Sequence, residues 1–127
     1  MSKKILVVDD EQDTVNYLTT LFEDNGYQTV TAGDGLKAVE KARTEKPDLI
    51  TLDITMPDQS GMRTYRQYKQ DTELKQIPVI IITAMGEDVN SFIKRLQGFV
   101  EPEGFMTKPI EPDKLVKMTA DLLASRP

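Results

Sequence analysis

Two hydrophobic periods alternate along the chain. Ile5-Leu6-Val7-Val8 is apolar without a break, as a strand covered on both faces requires. From Glu11 to Asn25 the apolar residues Val15, Leu18, Leu21 and Phe22 share one helical face, and Gly26 supplies a stop. Gln28 to Ala32 reads as a second strand, with Gly33-Asp34-Gly35 as the turn that follows. Val39 and Ala42 mark a second helix closed by Pro47, Leu49 to Leu52 is the third strand, and Met56-Pro57-Asp58 begins a loop. Met62, Tyr65 and Tyr68 suggest a third, less regular helix. Val79-Ile80-Ile81-Ile82 is again continuously apolar, and Val89, Phe92, Ile93, Leu96 and Phe99 form the most pronounced amphipathic run. Phe105-Met106-Thr107 predicts a short last strand, and Leu115, Met118 and Leu122 a final helix that starts near Pro112.

Five strand–helix pairs in alternation predict an α/β protein, a parallel sheet with helices on both faces. The 127 residues carry no internal repeat, low-complexity segment or linker, so residues 1–127 are expected to form one domain with a real core.

Composition narrows the chemistry by elimination. Hydrophobic residues make up 39% and charged residues 29%, values of a folded soluble protein. There is no cysteine and no histidine, which removes disulfides, thiol catalysis, zinc held by either residue and the commonest general base. With 16 Lys plus Arg against 21 Asp plus Glu the net charge is −5, which argues against direct nucleic-acid binding. Lys3-Lys4 before an apolar run resembles the start of a leader, but the run ends at Asp9, short of the roughly 7–15 residues a leader needs. No stretch approaches the ~20 apolar residues of a membrane span. A cytoplasmic location without a membrane partner is the expectation.

The strand ends carry the remaining signal. The first strand finishes at Asp9-Asp10, the third at Asp53, the fourth at Thr83 and the fifth at Lys108. In an open parallel sheet these carboxyl ends face one crevice, where ligands bind. Taken singly, each has an ordinary reading. An Asp-Asp pair after a strand is usually a solvated loop or cap, Thr83 a β-branched strand residue, and Lys108-Pro109 a surface turn. Their common position is what points to function. Three carboxylates together repel unless a cation compensates, and an all-oxygen cluster suits Mg²⁺. Asp53, on the central strand, is then free to act as a nucleophile and form an aspartyl-phosphate. The metal, the Lys108 ammonium and the Thr83 hydroxyl would neutralise phosphoryl oxygens, and the small Ala84 leaves room beside the acceptor.

These residues resemble the response-regulator receiver family over nearly the whole chain. The motifs are Ile5-Leu6-Val7-Val8-Asp9-Asp10-Glu11, Asp53-Ile54-Thr55-Met56-Pro57 with Gly61, Ile82-Thr83-Ala84, and Lys108-Pro109. The resemblance implies a flavodoxin-like (βα)5 sandwich with strand order 2-1-3-4-5, an order for which a member of this family is a standard example. It implies a domain that is not an enzyme beyond its own phosphorylation and dephosphorylation. Asp53 would take a phosphoryl group from a sensor histidine kinase or a histidine phosphotransfer protein. Asp9, Asp10, Asp53 and the Thr55 carbonyl would hold Mg²⁺. Thr83 and Lys108 would turn toward the phosphoryl group, Phe105 would act as the aromatic switch, and Lys108–Pro109 is a cis-peptide candidate. The switched surface would be that of the fourth helix, fifth strand and fifth helix. Lys94 and Arg95 on the fourth helix are candidates for partner contacts, or simply its solvated face.

Two departures from the family pattern stand out. The segment Gly98-Phe-Val-Glu-Pro-Glu-Gly-Phe-Met106 is a few residues longer than usual, which puts the end of the fourth helix and the shape of the output surface in question. Thr55 and Met85 stand two positions after Asp53 and Thr83, where the family often has an acidic or amide side chain that orients water. The expectation is that Thr55 and Met85 tune the phosphoryl lifetime, Met85 by shielding the acyl phosphate.

Rival readings are distinguishable. A haloacid-dehalogenase-like phosphohydrolase needs a second Asp two residues after the nucleophile, where Thr55 stands, and would turn over a phosphomonoester steadily. A flavin carrier lacks support because Asp9-Asp10 would repel the flavin phosphate, and it would be coloured. A pseudo-receiver would act by protein binding without phosphorylation. The kinase, the output partner, and whether this is a stand-alone regulator or a domain of a longer chain are not encoded in these motifs.

Overall fold

In a computed structural model, residues 2–55, 60–84 and 89–125 are described, without the side chains of Ser60 and Val89. The expected loop at Met56-Pro57-Asp58, the apolar contribution of Val89, Met85, and Arg126-Pro127 lie outside that set.

The five continuously apolar or β-branched runs form β1 (Lys4–Val8), β2 (Gln28–Ala32), β3 (Leu49–Asp53), β4 (Val79–Thr83) and β5 (Gly104–Thr107). All pair in parallel in the order β2-β1-β3-β4-β5. Between and after them run α1 (Gln12–Asp24), α2 (Gly35–Glu45), α3 (Ser60–Gln70), α4 (Val89–Leu96) and α5 (Pro112–Ala124). The flavodoxin-like sandwich expected from the sequence is therefore the fold.

Alternation along each strand distributes the core to two faces. Leu6, Val8, Ile50, Leu52, Val79 and Ile81 pack with Ala38 and Ala42 of α2, Tyr65 and Tyr68 of α3, and Phe92 and Leu96 of α4. Ile5, Val7, Leu49, Ile80 and Ile82 pack with Val15, Leu18 and Phe22 of α1 and Leu115 of α5. Every residue of the central strands β3 and β4 is buried, which explains their unbroken apolar reading. Among the described residues, no helix is long and apolar enough to cross a membrane.

Helix ends follow local chemistry. Asp34 caps α2, its Oδ1 accepting from the Lys37 amide at 2.9 Å. Gly26 stops α1 at φ +91°. The third helix is more regular than its sequence suggests, with Tyr65 and Tyr68 both fully buried. The fourth ends earlier than its apolar pattern implies. Gln97 and Gly98 take left-handed conformations, φ 52° and 83°, so Phe99 leaves the helix while its ring still packs against the core.

Gly61 has a different reason. A Cβ there would lie 2.4 Å from Ile54 Cα and 2.7 Å from the Asp53 carbonyl oxygen, so the first turn of α3 presses on the backbone that leaves β3. Alanine would improve helix propensity by up to ~1 kcal/mol, but overpacking against backbone costs about 1–3 kcal/mol. Gly61→Ala is thus expected to lower the urea midpoint; an unchanged or raised midpoint would show that the close approach relaxes without cost.

Candidate functional site

The sheet delivers the site residues with their backbone already fixed. The ladder continues past the strand ends: Asp9 N donates to Ala32 O at 3.2 Å, Ile54 N to Ile82 O at 3.0 Å, and Lys108 N to Thr83 O at 2.8 Å. In register, Asp53 stands beside Ile82, and Thr83 beside Thr107, which directly precedes Lys108. The Lys108–Pro109 peptide is cis, as the motif suggested.

Asp9, Asp10 and Asp53 each offer a carboxylate oxygen within 4.8 Å of the others. Asp9 and Asp53 are each 2% exposed, whereas Asp10 is exposed. The Lys108 ammonium lies among the carboxylates, donating to Asp53 Oδ2 at 3.1 Å and Glu11 Oε1 at 3.2 Å, with Asp9 Oδ2 at 3.7 Å. Asp53 Oδ1 accepts from the Thr55 amide at 2.8 Å and from the Thr55 hydroxyl at 2.5 Å. Asp9 Oδ1 accepts from the Glu11 amide at 2.9 Å.

Among the described residues four buried side-chain oxygens have no hydrogen-bond partner, Thr51 Oγ1, Thr119 Oγ1 and, at this site, Asp9 Oδ2 and the fully buried Thr83 Oγ1. An unpaired buried polar atom costs about 1–3 kcal/mol, so such atoms require a reason. Asp9 and Thr83 both stand at the strand ends that meet in the crevice. Ala84 is exposed, and Phe105 is half-buried with its ring 5.3 Å from that of Phe92. Lys94 and Arg95 are exposed on α4; the Arg95 carbonyl accepts from Arg66 at 3.3 Å, and its guanidinium lies 5.9 Å from the Phe92 ring centre. Met85 lies outside the described residues. Glu11, next to the Asp9-Asp10 pair, contacts Lys108, 97 residues away, and that contact has no local sequence signal.

Charge in the crevice is unevenly distributed. Burial, with Asp53 beside it, pushes the Asp9 carboxyl up to about 7. Burial also opposes ionisation of Asp53, but the Thr55 hydroxyl and amide and the Lys108 ammonium outweigh it and hold Asp53 below the usual carboxylate value. Lys108 loses some solvation, yet Asp53, Asp9 and Glu11 raise it. Three carboxylates with a single ammonium beside them, among the described residues, are short of positive charge, and their all-oxygen donor set fits Mg²⁺.

Comparison with known proteins agrees with this geometry. The response regulator receiver domain family matches residues 5–120, and the chain belongs to that family. It is 42% identical over 112 residues to the alkaline phosphatase synthesis transcriptional regulatory protein PhoP of Bacillus subtilis, covering 88% of this chain but 45% of PhoP. Protein PilH of Pseudomonas aeruginosa is 36% identical over 121 residues, 95% of this chain and 98% of PilH. Among solved structures, the signal receiver domain of a signal transduction histidine kinase from Syntrophus aciditrophicus superposes with a TM-score of 0.85 at 31% identity, covering 97% of this chain and 91% of that one. Receiver domains are two-component signalling domains rather than classical enzymes, and are generally Mg²⁺-dependent.

The raised Asp9 carboxyl has a consequence for stability. In metal-free protein Asp9 keeps a proton in the folded state up to about 7 that it releases near 3.9 when unfolded. Its contribution is therefore fully present below pH ~4 and lost as pH rises toward 7. Metal-free wild type should lose stability between about pH 4 and 7 in chemical denaturation, and Asp9→Asn should flatten that slope; a slope equal in both proteins would count against the assignment.

Proposed function

We propose that this chain is a phosphoacceptor receiver domain, spanning residues 1–127, in which Asp53 takes a phosphoryl group from a sensor histidine kinase or a histidine phosphotransfer protein. The carrying observation is the ammonium of Lys108 shared between Asp53 and its acidic neighbours, with Asp9 Oδ2 and Thr83 Oγ1 buried beside the same strand ends and without a hydrogen bond among the described residues.

A carboxylate oxygen of Asp53 attacks phosphorus, the bond to the donor breaks, and its electron pair leaves with the donor atom. Thr55 holds Asp53 Oδ1 by two hydrogen bonds and so fixes the plane of the nucleophile. The hydrogen bonds from Thr55 and Lys108 keep Asp53 ionised in spite of its burial. Asp9, Asp10, Asp53 and the Thr55 carbonyl are the residues that would hold Mg²⁺, whose charge would neutralise phosphoryl oxygens. Lys108 already stands at Asp53 Oδ2, and Thr83 has an unused hydroxyl. The new group adds roughly −1.5 to −2 charges, which draws both side chains toward it. Ala84 leaves the acceptor side uncrowded.

Phe105 follows Thr83 and repacks the surface of α4, β5 and α5, where Lys94 and Arg95 lie exposed. Taking such a switch from 1:99 to 99:1 needs ~5.5 kcal/mol of differential stabilisation, within reach of several charge-assisted hydrogen bonds. The donor approaches beside α1, where a cleft of about 320 Å³ is lined by Asp13, Thr14, Tyr17, Lys108, Pro109 and Ile110. Thr55 and Met85 set the phosphoryl lifetime. We place the reaction in the cytoplasm, where such donors work.

Intact-mass measurement after incubation with acetyl phosphate and Mg²⁺ should reveal one phosphoryl adduct, absent in Asp53→Asn and in metal-free wild type. No adduct under conditions that label another receiver domain would mean a pseudo-receiver and remove this mechanism. In the same assay Met85→Glu should shorten the adduct's lifetime several-fold, and an unchanged decay would dismiss the shielding role of Met85.

A further inference from the structure

The long segment between α4 and β5 is not a free loop. It is strapped to α3 at both ends. At its start the Phe99 ring stands 6.1 Å from the Tyr65 ring at 76°, with the Arg66 guanidinium 5.7 Å from the Phe99 ring centre. The Tyr65 hydroxyl donates to the Val100 carbonyl at 2.5 Å. At its far end Glu103 accepts from Lys69 Nζ through both oxygens, at 2.8 and 2.9 Å, and from the Val79 amide at 2.8 Å. The same ammonium reaches the Ile77 carbonyl at 3.3 Å and the Lys75 carbonyl at 3.4 Å. Between these two fixed points lie Glu101 and Pro102, next to Val100, which is 57% exposed.

Tyr65 also touches the interior. Its ring is 6.4 Å from Phe92 at 67°, and Phe92 is 5.3 Å from Phe105. The four rings Phe105, Phe92, Tyr65 and Phe99 thus run in one contiguous row from β5 to the strap. Tyr65 and Phe92 are fully buried, and close-packed rings cannot absorb a displacement without passing it on. Burial, with Glu103 and Glu101 nearby, keeps the Tyr65 hydroxyl protonated far above the usual tyrosine range, so it remains a donor.

We propose that this aromatic row, pinned by Tyr65 on the Val100 carbonyl and by the Lys69–Glu103 clamp, carries the state of Asp53 to the strap at 99–103. The strap, which joins α4 to β5, is then a further part of the surface whose conformation reports phosphorylation. The inference rests on the proposed phosphorylation and on movement of Phe105. When Phe105 repacks, Phe92 and Tyr65 shift with it, and the Tyr65–Val100 hydrogen bond changes length. Because Glu103 is held by three hydrogen bonds, two from Lys69 and one from Val79, the strap cannot slide as a whole, so the change falls on residues 100–102.

The Val100 carbonyl shares a peptide with the Glu101 amide, whose ¹⁵N shift therefore reads the bond. Amide spectra of the full chain should be recorded with Mg²⁺, before and after excess acetyl phosphate, for wild type and Tyr65→Phe, with intact mass measured in parallel. The expected result is an adduct in both proteins and a Phe105 shift in both. The Glu101 shift should be clear in wild type and at least halved in Tyr65→Phe. An adduct with a moving Phe105 and a still Glu101 would overturn the relay and leave the phosphoacceptor reading intact. An equal Glu101 shift in both proteins would overturn the role of the hydroxyl and with it the relay. Absence of any adduct would remove the phosphoacceptor reading itself, and the relay with it.

Discussion

Concentrated negative charge at one edge of the sheet is the constraint on which the rest of this molecule depends. Asp9 and Asp53 are both buried, Asp10 is within reach of each, and Lys108 is the ammonium they share. Two like charges ~4 Å apart repel by about 4 kcal/mol at an effective dielectric of 20. Left to themselves the side chains would separate. The parallel ladder prevents this, because each carboxylate sits where a strand stops and the neighbouring backbone is hydrogen-bonded beyond that point. The protein resolves the remaining repulsion unevenly, protonating Asp9 more readily and keeping Asp53 ionised. That inequality suits a division of labour between two chemically identical groups.

The packing beneath serves the same end. Both faces of β3 and β4 are covered, so the crevice floor cannot yield sideways. From above, α3 approaches the backbone after Asp53 so closely that only a glycine fits at position 61. Asp53 is therefore held from below by the strand, from the side by Thr55 and Lys108, and from the next helix by a contact with no side chain in it. Rigidity of this sort is what a group-transfer site needs, since misplacement of about 1 Å costs far more than any single hydrogen bond returns.

The sequence made the fold legible because unbroken apolar runs and helical periodicities were each bounded by clear stop signals. The carboxylates, Thr83 and Lys108 were legible as a set once every strand end was placed on one edge, and family resemblance added strand order and roles. Other features left no local trace. Phe99 continues the helical period of Phe92 and Leu96, yet the left-handed pair Gln97 and Gly98 ends the helix first, and nothing in a Gln-Gly dipeptide demands this. Lys69 reads as one more polar residue of an amphipathic helix, and its burial depends on Glu103, 34 residues on. The same holds for Glu11 and Lys108, and for the Tyr65 hydroxyl, whose partner is a backbone carbonyl that no side-chain pattern reveals. Periodicity reports which face is apolar, but long-range polar pairing is decided only when the chain has closed.

The clamp on the strap also divides the molecule's ion pairs by their response to ionic strength. Lys117 and Asp121, one turn apart on α5, have side chains 77% and 67% exposed, so dissolved ions surround both partners and weaken their attraction. The Lys69 side chain is 2% exposed and surrounded by four acceptor oxygens of the protein itself. Counter-ions cannot reach that end of the pair. As salt rises, the helix surfaces lose their weak electrostatic ties while the strap keeps its seat on α3. The longer connection is thus less sensitive to the ionic medium than the exposed pair on α5.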